Sequence, residues 1–269
     1  MQMEHALKAV WGCATMIGTR RITGAVSRIS AYHDTAFFFD GVDGYVALSI
    51  DDGISRGGPA TSLAADVLAL LQRHDARCTF FVCSQYISGV PNQAADIVAA
   101  GHELANHLEE DVFGYSELPA ARFETALQSA TEAIEAVPGA ARVRWFRAPQ
   151  GVFTHAMKRV TDAKGLRHAI GDAYCDDWAV TDAKWVARTL LRQGASDGVR
   201  SSDLCIAPAA MPHVCPPRAR RIETIVRSAQ WVDCHPSHAR TGLPRALARS
   251  ARAAPGRPVS ARAQVPDTD

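Results

Sequence analysis

Short apolar segments alternate with segments of helical period between residues 45 and 194, and this alternation limits the fold more than any other feature. The apolar segments predict strands at 45–50 (YVALSI), 78–83 (CTFFVC), 143–149 (VRWFRAP) and 167–175 (RHAIGDAYC). The segments of helical period predict helices at 59–76, 93–103, 121–137, 154–165 and 182–194. Strands that alternate with helices of this length form parallel βα units. The sequence therefore predicts an α/β fold, either an open doubly wound sheet or a barrel, with its chemistry at the C-terminal edge of the strands.

Composition excludes several classes of protein. The net charge of +1 gives no electrostatic reason to bind nucleic acid or acidic membranes. No apolar run approaches the roughly 20 residues of a membrane-spanning helix, and residues 1–21 lack the pattern of a signal peptide, so a cytoplasmic location is expected. The 7 cysteines are odd in number, scattered and without a CxxC pair. That usage fits reduced thiols.

The chain divides into three parts by composition. Residues 1–40 form an N-terminal extension with an amphipathic helix and no assigned role, and residues 41–198 form the α/β domain. Residues 199–269 contain 9 of the 14 prolines and 11 arginines but no lysine, and they lose clean periodicity. This last part is predicted to be partly disordered.

Acidic residues follow the first predicted strand, where Asp51 and Asp52 precede Gly53. Neighbouring side chains in a strand point opposite ways, but beyond the strand two successive carboxylates can converge on one site. One can then bind a cation while the other accepts a proton. The same residues also suit a plain Asp-Asp-Gly turn, so both interpretations are open for this pair alone.

Three further polar clusters come later in the chain. On a helical turn, His107 and Asp111 would project from one face about 5–6 Å apart at Cβ, which is half of a divalent-ion site. Alternatively, the acids of NHLEED only complement a helix dipole. Arg147 follows a predicted strand in RWFRAPQG, and Asp176 and Asp177 follow another in DAYCDDW. The alternatives for these are a surface arginine near a turn and the N-cap of the last predicted helix.

These clusters, in this order, resemble the motifs of the NodB-type polysaccharide deacetylases, carbohydrate esterase family 4, which include chitin and peptidoglycan deacetylases. LSIDDG resembles that family's T-F-D-D-G, with Ser49 in place of Thr, and CTFFVCS its A-T-F-F strand. GHELANHLEED resembles G-H-E-[IL]-[GA]-N-H-[ST]-x-x-H, RWFRAPQG resembles R-x-P-x-G, and DDW resembles part of D-x-x-D-W. The resemblance covers about residues 44–198, and several ordered motifs are far more specific than one.

The resemblance implies a deformed (β/α) barrel, incomplete at its C-terminus, that removes N-acetyl groups from an amino-sugar polymer or oligomer. The implied metal ligands are Asp52, His107 and Asp111. The implied catalytic residues are Asp51 as general base, Arg147 holding Asp51, and Asp177 orienting a histidine. The implied substrate contacts are Pro149, Gly151 and Trp178. The implied cofactor is a divalent metal, Zn²⁺ before Co²⁺, Mn²⁺ or Fe²⁺, and the implied partner is an N-acetylated glycan, without nucleic acid or a membrane span.

This sequence departs from the family motifs at three positions. Leu108 follows the first metal histidine in place of Thr or Ser, Asp111 replaces the second, and Tyr174 replaces the first Asp of D-x-x-D-W, whose second Asp is Asp177. An Asp-His-Asp ligand set is harder than Asp-His-His, so it suits Mn²⁺ or Fe²⁺ as well as Zn²⁺.

The family's last motif, a strand ending in Leu-x-x-His that supplies the general acid, is missing from its expected window roughly 25–30 residues after Asp177. The window reads SDLCIAP, and the nearest histidines are His213 and His235. A reading-frame shift near Gly198 would explain both this gap and the change in composition. Two alternatives to an active deacetylase therefore stand: an impaired barrel that binds metal or glycan without turnover, and an amidase acting on a non-sugar C–N bond.

Overall fold

The fold is a curled parallel sheet with helices outside it. A computed structural model describes residues 2–29, 31–38, 47–52, 62–89 and 91–195 of the 269-residue chain. Its five strands are all parallel, they neighbour one another in chain order, and they comprise β1 (Leu48–Asp51), β2 (Cys78–Val82), β3 (Glu103–Asn106), β4 (Trp145–Phe146) and β5 (Arg167–His168). Ala36, which precedes β1 in the chain, pairs in parallel with Ala169 just after β5. Strand order without reversal is that of a barrel, so the predicted deformed (β/α) barrel is confirmed as a half-barrel.

Eight α-helices lie in the described parts of the chain: α1 (Gln2–Ile17), α2 (Thr19–Val26), α3 (Ala64–Arg73), α4 (Ser84–Gly89), α5 (Pro91–Ala99), α6 (Ala120–Glu135), α7 (His155–Ala163) and α8 (Ala183–Ala195). Two 3₁₀ helices span Phe113–Glu117 and Pro149–Gly151. The predicted helices α3, α5, α6, α7 and α8 are all present, with ends a few residues from those expected. The strand predicted at 167–175 is shorter, because its chain leaves the sheet after the bridge at Ala169.

One local prediction is wrong. His107 and Asp111 were expected on a helical turn, but residues 103–106 form β3 and an irregular loop follows. The reason is tertiary: β3 is hydrogen-bonded between β2 and β4, and Leu108 takes φ 60°, outside the right-handed helical region.

The sheet buries its two faces differently because side chains alternate along each strand. Residues such as Phe80, Val82, Leu104 and Phe146 face the helices and form the main hydrophobic core. The alternate residues Phe81, Ala105 and Trp145 form a smaller cluster with Ala36 and Ala169 on the inner face of the curl. Polar residues at the C-terminal ends of the strands on that face therefore lie inside the curl.

The N-terminal segment packs on the α/β domain. Helix α1 lies against α8, and Leu7 and Trp11 pack on Cys175, Val180 and Val186. Tyr32 donates a hydrogen bond to the Gly151 carbonyl at 3.0 Å. None of the helices in the described ranges is long and apolar enough to cross a lipid bilayer. Residues 199–269, which include His213 and His235, lie outside the described residues. The disorder and the frame shift that the sequence suggests for this region stay predictions, and so do the boundaries of the three parts of the chain.

Candidate active site

Alternation along the strands places the polar residues of the site on one face. In β1, Leu48 and Ile50 pack toward the helices, so Ser49 and Asp51 face the inside of the curl. Arg147, one residue beyond β4, binds both of them, which confirms that its side chain also points inward. The sheet itself thus brings together residues almost 100 positions apart.

Arg147 is buried and surrounded by acceptors. Its Nη1 donates to Asp51 Oδ1 in an ion pair, its Nη2 donates to Ser49 Oγ at 3.0 Å, and its Nε donates to the Ala169 carbonyl at 3.0 Å. The guanidinium also lies 4.0 Å from the centre of the Phe81 ring. The side chain of Asp51 remains 40% exposed. Its carboxylate is therefore fixed in direction while still open to solvent.

Asp52 turns toward the same side as Asp51 because its backbone takes φ 55°, a left-handed conformation that Asp tolerates better than most residues. Its N–H donates to the Phe81 carbonyl at 2.9 Å, which anchors the turn. The thiol of Cys83 donates to Asp52 Oδ1 at 3.1 Å. Cys83 was not predicted as a site residue, although it follows Phe81 at a spacing of two and so faces the same side.

The loop after β3 is shaped by Asn106, which is fully buried on the helix side of the sheet. Its Oδ1 accepts from the Leu108 N–H at 2.7 Å, and its Nδ2 donates to the Leu127 carbonyl and to Thr131 Oγ1. These bonds support the left-handed turn at Leu108. That turn carries Asp111 back to His107.

His107 is buried and has a defined orientation. Its Nδ1 lies 2.9 Å from the Arg147 carbonyl, which can only accept, so Nδ1 carries a proton and Nε2 faces Asp111 Oδ1 at 3.5 Å. Burial alone would lower the pKa of His107, but the carboxylates of Asp111, Asp51 and Asp52 outweigh it and raise the pKa to about 9. A cation at Nε2 would therefore compete with a proton.

Asp111 is held from the other side by Gln150. The Gln150 backbone N–H donates to Asp111 Oδ1 at 2.7 Å, and its side-chain Nε2 donates to Asp111 Oδ2 and, at 3.3 Å, to the Asp111 carbonyl. Gln150 was not predicted as a site residue, because nothing in RAPQG indicates a contact with a loop 39 positions earlier.

The donor set of Asp52, His107 and Asp111 fits a divalent cation. Each residue offers one ligand atom, and these three atoms lie within 4.8 Å of one another. The orienting bond from His107 Nδ1 to a backbone carbonyl is typical of histidines that ligate metal through Nε2. Two carboxylates and one imidazole leave coordination positions for water and substrate, as a catalytic site needs.

A second acidic pair borders the site on the loop between β5 and α8. Burial, reinforced by the charges of Asp51 and Asp176, raises the pKa of Asp177 to about 6. Asp176 has φ 49°, and its carboxylate accepts from Trp11 Nε1 at 2.7 Å, the Tyr174 hydroxyl at 2.9 Å and Trp178 Nε1 at 3.1 Å. The alternative role of this pair, that of capping the last predicted helix, belongs instead to Asp182, whose Oδ1 accepts from the Trp185 N–H at 3.0 Å.

The three residues expected to contact substrate differ in their exposure. Pro149 is buried and Gly151 is exposed, both in the 3₁₀ helix that follows Arg147. Trp178 is 45% exposed. The structure thus brings Asp51, Asp52, His107, Asp111 and Arg147 into one cluster and places Asp177 close enough for the charge of Asp51 to act on it.

Comparisons with known proteins agree with this architecture. The family model described as polysaccharide deacetylase matches residues 40–169. A chitooligosaccharide deacetylase of Bradyrhizobium sp. is 31% identical over 134 residues, which are 50% of this chain and 58% of that protein. The chain spans between 50% and 61% of the length of this and two other curated relatives that it matches.

Two solved structures share the fold. A family 4 carbohydrate esterase from Streptomyces lividans, in complex with acetate, matches with a TM-score of 0.52 and 22% identity over 70% of this chain and 88% of the other. A CE4 family pseudoenzyme from Bacillus anthracis matches with a TM-score of 0.52 and 22% identity over 58% of this chain and 53% of the other. At these identities the likeness concerns the fold.

Proposed function

The chain belongs to the NodB-type polysaccharide deacetylases through residues 40–169, and from that premise we propose that it hydrolyses N-acetyl groups on an amino-sugar polymer or oligomer. The observation that carries the proposal is the pairing of Asp51 with Arg147 beside the Asp52–His107–Asp111 donor set. The guanidinium of Arg147 holds the carboxylate of Asp51, and the three residues that could bind a metal ion lie next to it. Hydrolysis of an amide uses a base that accepts a proton from water and a group that polarises the carbonyl, and this arrangement offers residues for both.

Asp51 is the proposed general base. Arg147 holds one carboxylate oxygen, while the 40% exposure of the side chain leaves room for water to reach the carboxylate. A carboxylate fixed in this way can accept a proton from water that attacks the acetamido carbonyl. Ser49 and the Ala169 carbonyl keep the guanidinium in place, so Arg147 is the proposed positioning residue for Asp51.

Asp52, His107 and Asp111 are the proposed ligands of a divalent cation, Zn²⁺ first and Co²⁺, Mn²⁺ or Fe²⁺ next. When bound, such a cation lowers the pKa of water and polarises a carbonyl. Cys83 steadies Asp52, and the Arg147 carbonyl steadies His107. Both ligands therefore need little reorganisation on binding.

Asp177 and Trp178 complete the proposed site. Asp177, whose pKa is raised toward neutrality, would orient a histidine general acid. Among the described histidines, His102 and His168 accept hydrogen bonds from the backbone amides of Cys78 and Ala148 and so serve the fold. Pro149, Gly151 and Trp178 would contact the glycan, with the exposed Trp178 ring offering an apolar face to a sugar.

A second candidate function is binding without turnover. It is favoured by the absence of histidine from the SDLCIAP window, and one neighbour in fold is itself described as a pseudoenzyme. A third, an amidase acting on a small non-sugar amide, would use the same residues. Acetate release from a panel of chitin oligomers and simple acetamides distinguishes the three.

The deciding experiment measures acetate release from chitin oligomers with Zn²⁺, Co²⁺ or Mn²⁺ added. Wild type should release acetate, and Asp51→Asn should be slower by roughly 10²–10⁴-fold because the base is lost. Asp162→Asn is the matched control, since Asp162 pairs with Lys158 on α7. Equal release by wild type and Asp51→Asn would remove the proposal, and no release by wild type with intact metal binding would favour the non-catalytic alternative.

A further inference from the structure

Gln150 makes three hydrogen bonds to Asp111, from its backbone N–H and its side-chain amide. Gln150 is exposed and has φ 55° and ψ 16°, a conformation that costs free energy in a residue other than glycine. In that conformation its backbone N–H and its side-chain amide both reach the same carboxylate, through Asp111 Oδ1 and Oδ2. Both oxygens of Asp111 are therefore held by one residue.

We propose that Gln150 is a positioning residue that turns Asp111 into the third metal ligand, so that the two residues act as one unit. The inference rests on the metal site of the proposed function. A carboxylate can rotate about its last side-chain bond, and each of its oxygens has two lone pairs. With Gln150 on both oxygens, rotation is blocked, and a lone pair of Oδ1 remains directed toward His107 Nε2, 3.5 Å away.

The action of Gln150 and Asp111 as one unit depends on the carboxylate of Asp111. An imidazole at position 111 would offer a single acceptor nitrogen, and a bound metal would take it. The bonds of Gln150 to the two carboxylate oxygens would then be lost, and only the 3.3 Å bond of Nε2 to the backbone carbonyl of residue 111 could remain. The effect of Gln150 on metal affinity should therefore exist with Asp111 and disappear with histidine at the same position.

The test is a double-mutant cycle on metal affinity, measured by titration calorimetry with Mn²⁺ and with Zn²⁺. Gln150→Met, which keeps length but removes the side-chain donors, should weaken binding roughly 10–100-fold, the usual effect of losing an outer-shell partner. In the Asp111→His background the same substitution should change affinity less than about twofold. Visible absorption of bound Co²⁺, which reports ligand number and geometry, should change in Gln150→Met.

Gln128→Met is the matched control, because Gln128 also donates from Nε2 to a carboxylate, that of Glu132, at 2.7 Å on the exposed side of α6. It should leave metal affinity and the Co²⁺ spectrum unchanged. Unaltered affinity in Gln150→Met, or an equal loss in both backgrounds, would overturn the inference while the proposed function stands. Failure of the wild-type protein to bind either metal would overturn both.

Discussion

Arg147 shows how one side chain connects the sheet to the candidate chemistry. Its three nitrogens donate hydrogen bonds to Asp51, Ser49 and the Ala169 carbonyl, and its flat face lies on the Phe81 ring. Only a planar guanidinium can fill such a position, because an ammonium is a point charge without a fixed fork of donors. The charge alone is therefore insufficient at this site.

Arg147→Lys should retain the charge and lose the orientation of Asp51. We expect acetate release to fall at least about tenfold and the free energy of unfolding to fall by about 1–3 kcal/mol, as expected for buried groups left without partners. Steady-state kinetics and urea unfolding measure the two effects. Arg144→Lys is the control, since Arg144 is partly exposed and pairs with Glu103 at 3.4 Å; similar losses in both variants would contradict the special role of Arg147.

Asn106 determines the path of the ligand-bearing loop from the opposite face of the sheet. Asn106→Ala should lower the free energy of unfolding by about 2–4 kcal/mol, because the buried Leu108 N–H loses its partner and the bonds to the Leu127 carbonyl and Thr131 Oγ1 are lost with it. Thr131→Val removes only one of its contacts and should cost less than about 1.5 kcal/mol. Chemical denaturation measures both, and equal small effects would show that the loop is held elsewhere.

At the scale of elements, α1 stabilises the loop that carries Asp177. Trp11 donates to Asp176, and Gln193 on α8 links Thr15 of α1 to the Tyr174 N–H, with bonds of 3.3 and 2.9 Å. The loop between β5 and α8 lacks regular structure. Its position is therefore determined by helices from both ends of the described chain.

Trp11→Phe should retain the packing of the ring and lose its bond to the Asp176 carboxylate. We expect a loss of about 1–2 kcal/mol in the free energy of unfolding, since the bond is partly buried and one partner is charged. Tyr174→Phe removes an exposed bond to the same carboxylate and should cost less than about 1 kcal/mol. An effect of Trp11→Phe that persists unchanged in an Asp176→Asn background would mean that the bond is not the cause.

Elements with a clear apolar pattern could be predicted from the sequence, and strand β3 could not. Helix α6 and strand β2 lie where the pattern places them, because each buries a full face. Strand β3 was missed because ELAN is only four residues long and carries polar ends. Its hydrogen bonds to β2 and β4, rather than its own preferences, make it a strand.

At the scale of the whole molecule, two buried neutral histidines link stability to pH. Burial, with a smaller contribution from Arg77, lowers the pKa of His102 to about 4, and burial beside Arg147 lowers the pKa of His168 well below its usual value. Between about pH 4 and 6.5 the unfolded chain binds more protons at these positions than the folded one. Stability therefore falls as pH falls through that window, and their full contribution is present above it.

His102→Gln should reduce this dependence. The lowered pKa of His102 corresponds to roughly 3 kcal/mol of stability between pH 7 and pH 4. The variant should lose that much less stability than wild type on acidification. Urea unfolding at the two pH values measures the difference. His33→Gln is the control because the His33 side chain is 67% exposed; an acid response of His102→Gln equal to that of wild type would contradict the prediction.

The local sequence pattern was sufficient to predict the alternation of strands and helices and the polar residues at the strand ends. The reason is that burial of one face imposes a period of two on a strand and of 3.6 on a helix. Alternation along the predicted strands also implies that Asp51, Cys83 and Arg147 share one face, and His107 joins them only because β3 forms. The curl that pairs Ala36 with Ala169, the left-handed turns at Asp52 and Leu108, and the hold of Gln150 on Asp111 depend on residues far apart in the chain. Such contacts have no local signature, since their free energy arises only when the folded sheet brings both partners together.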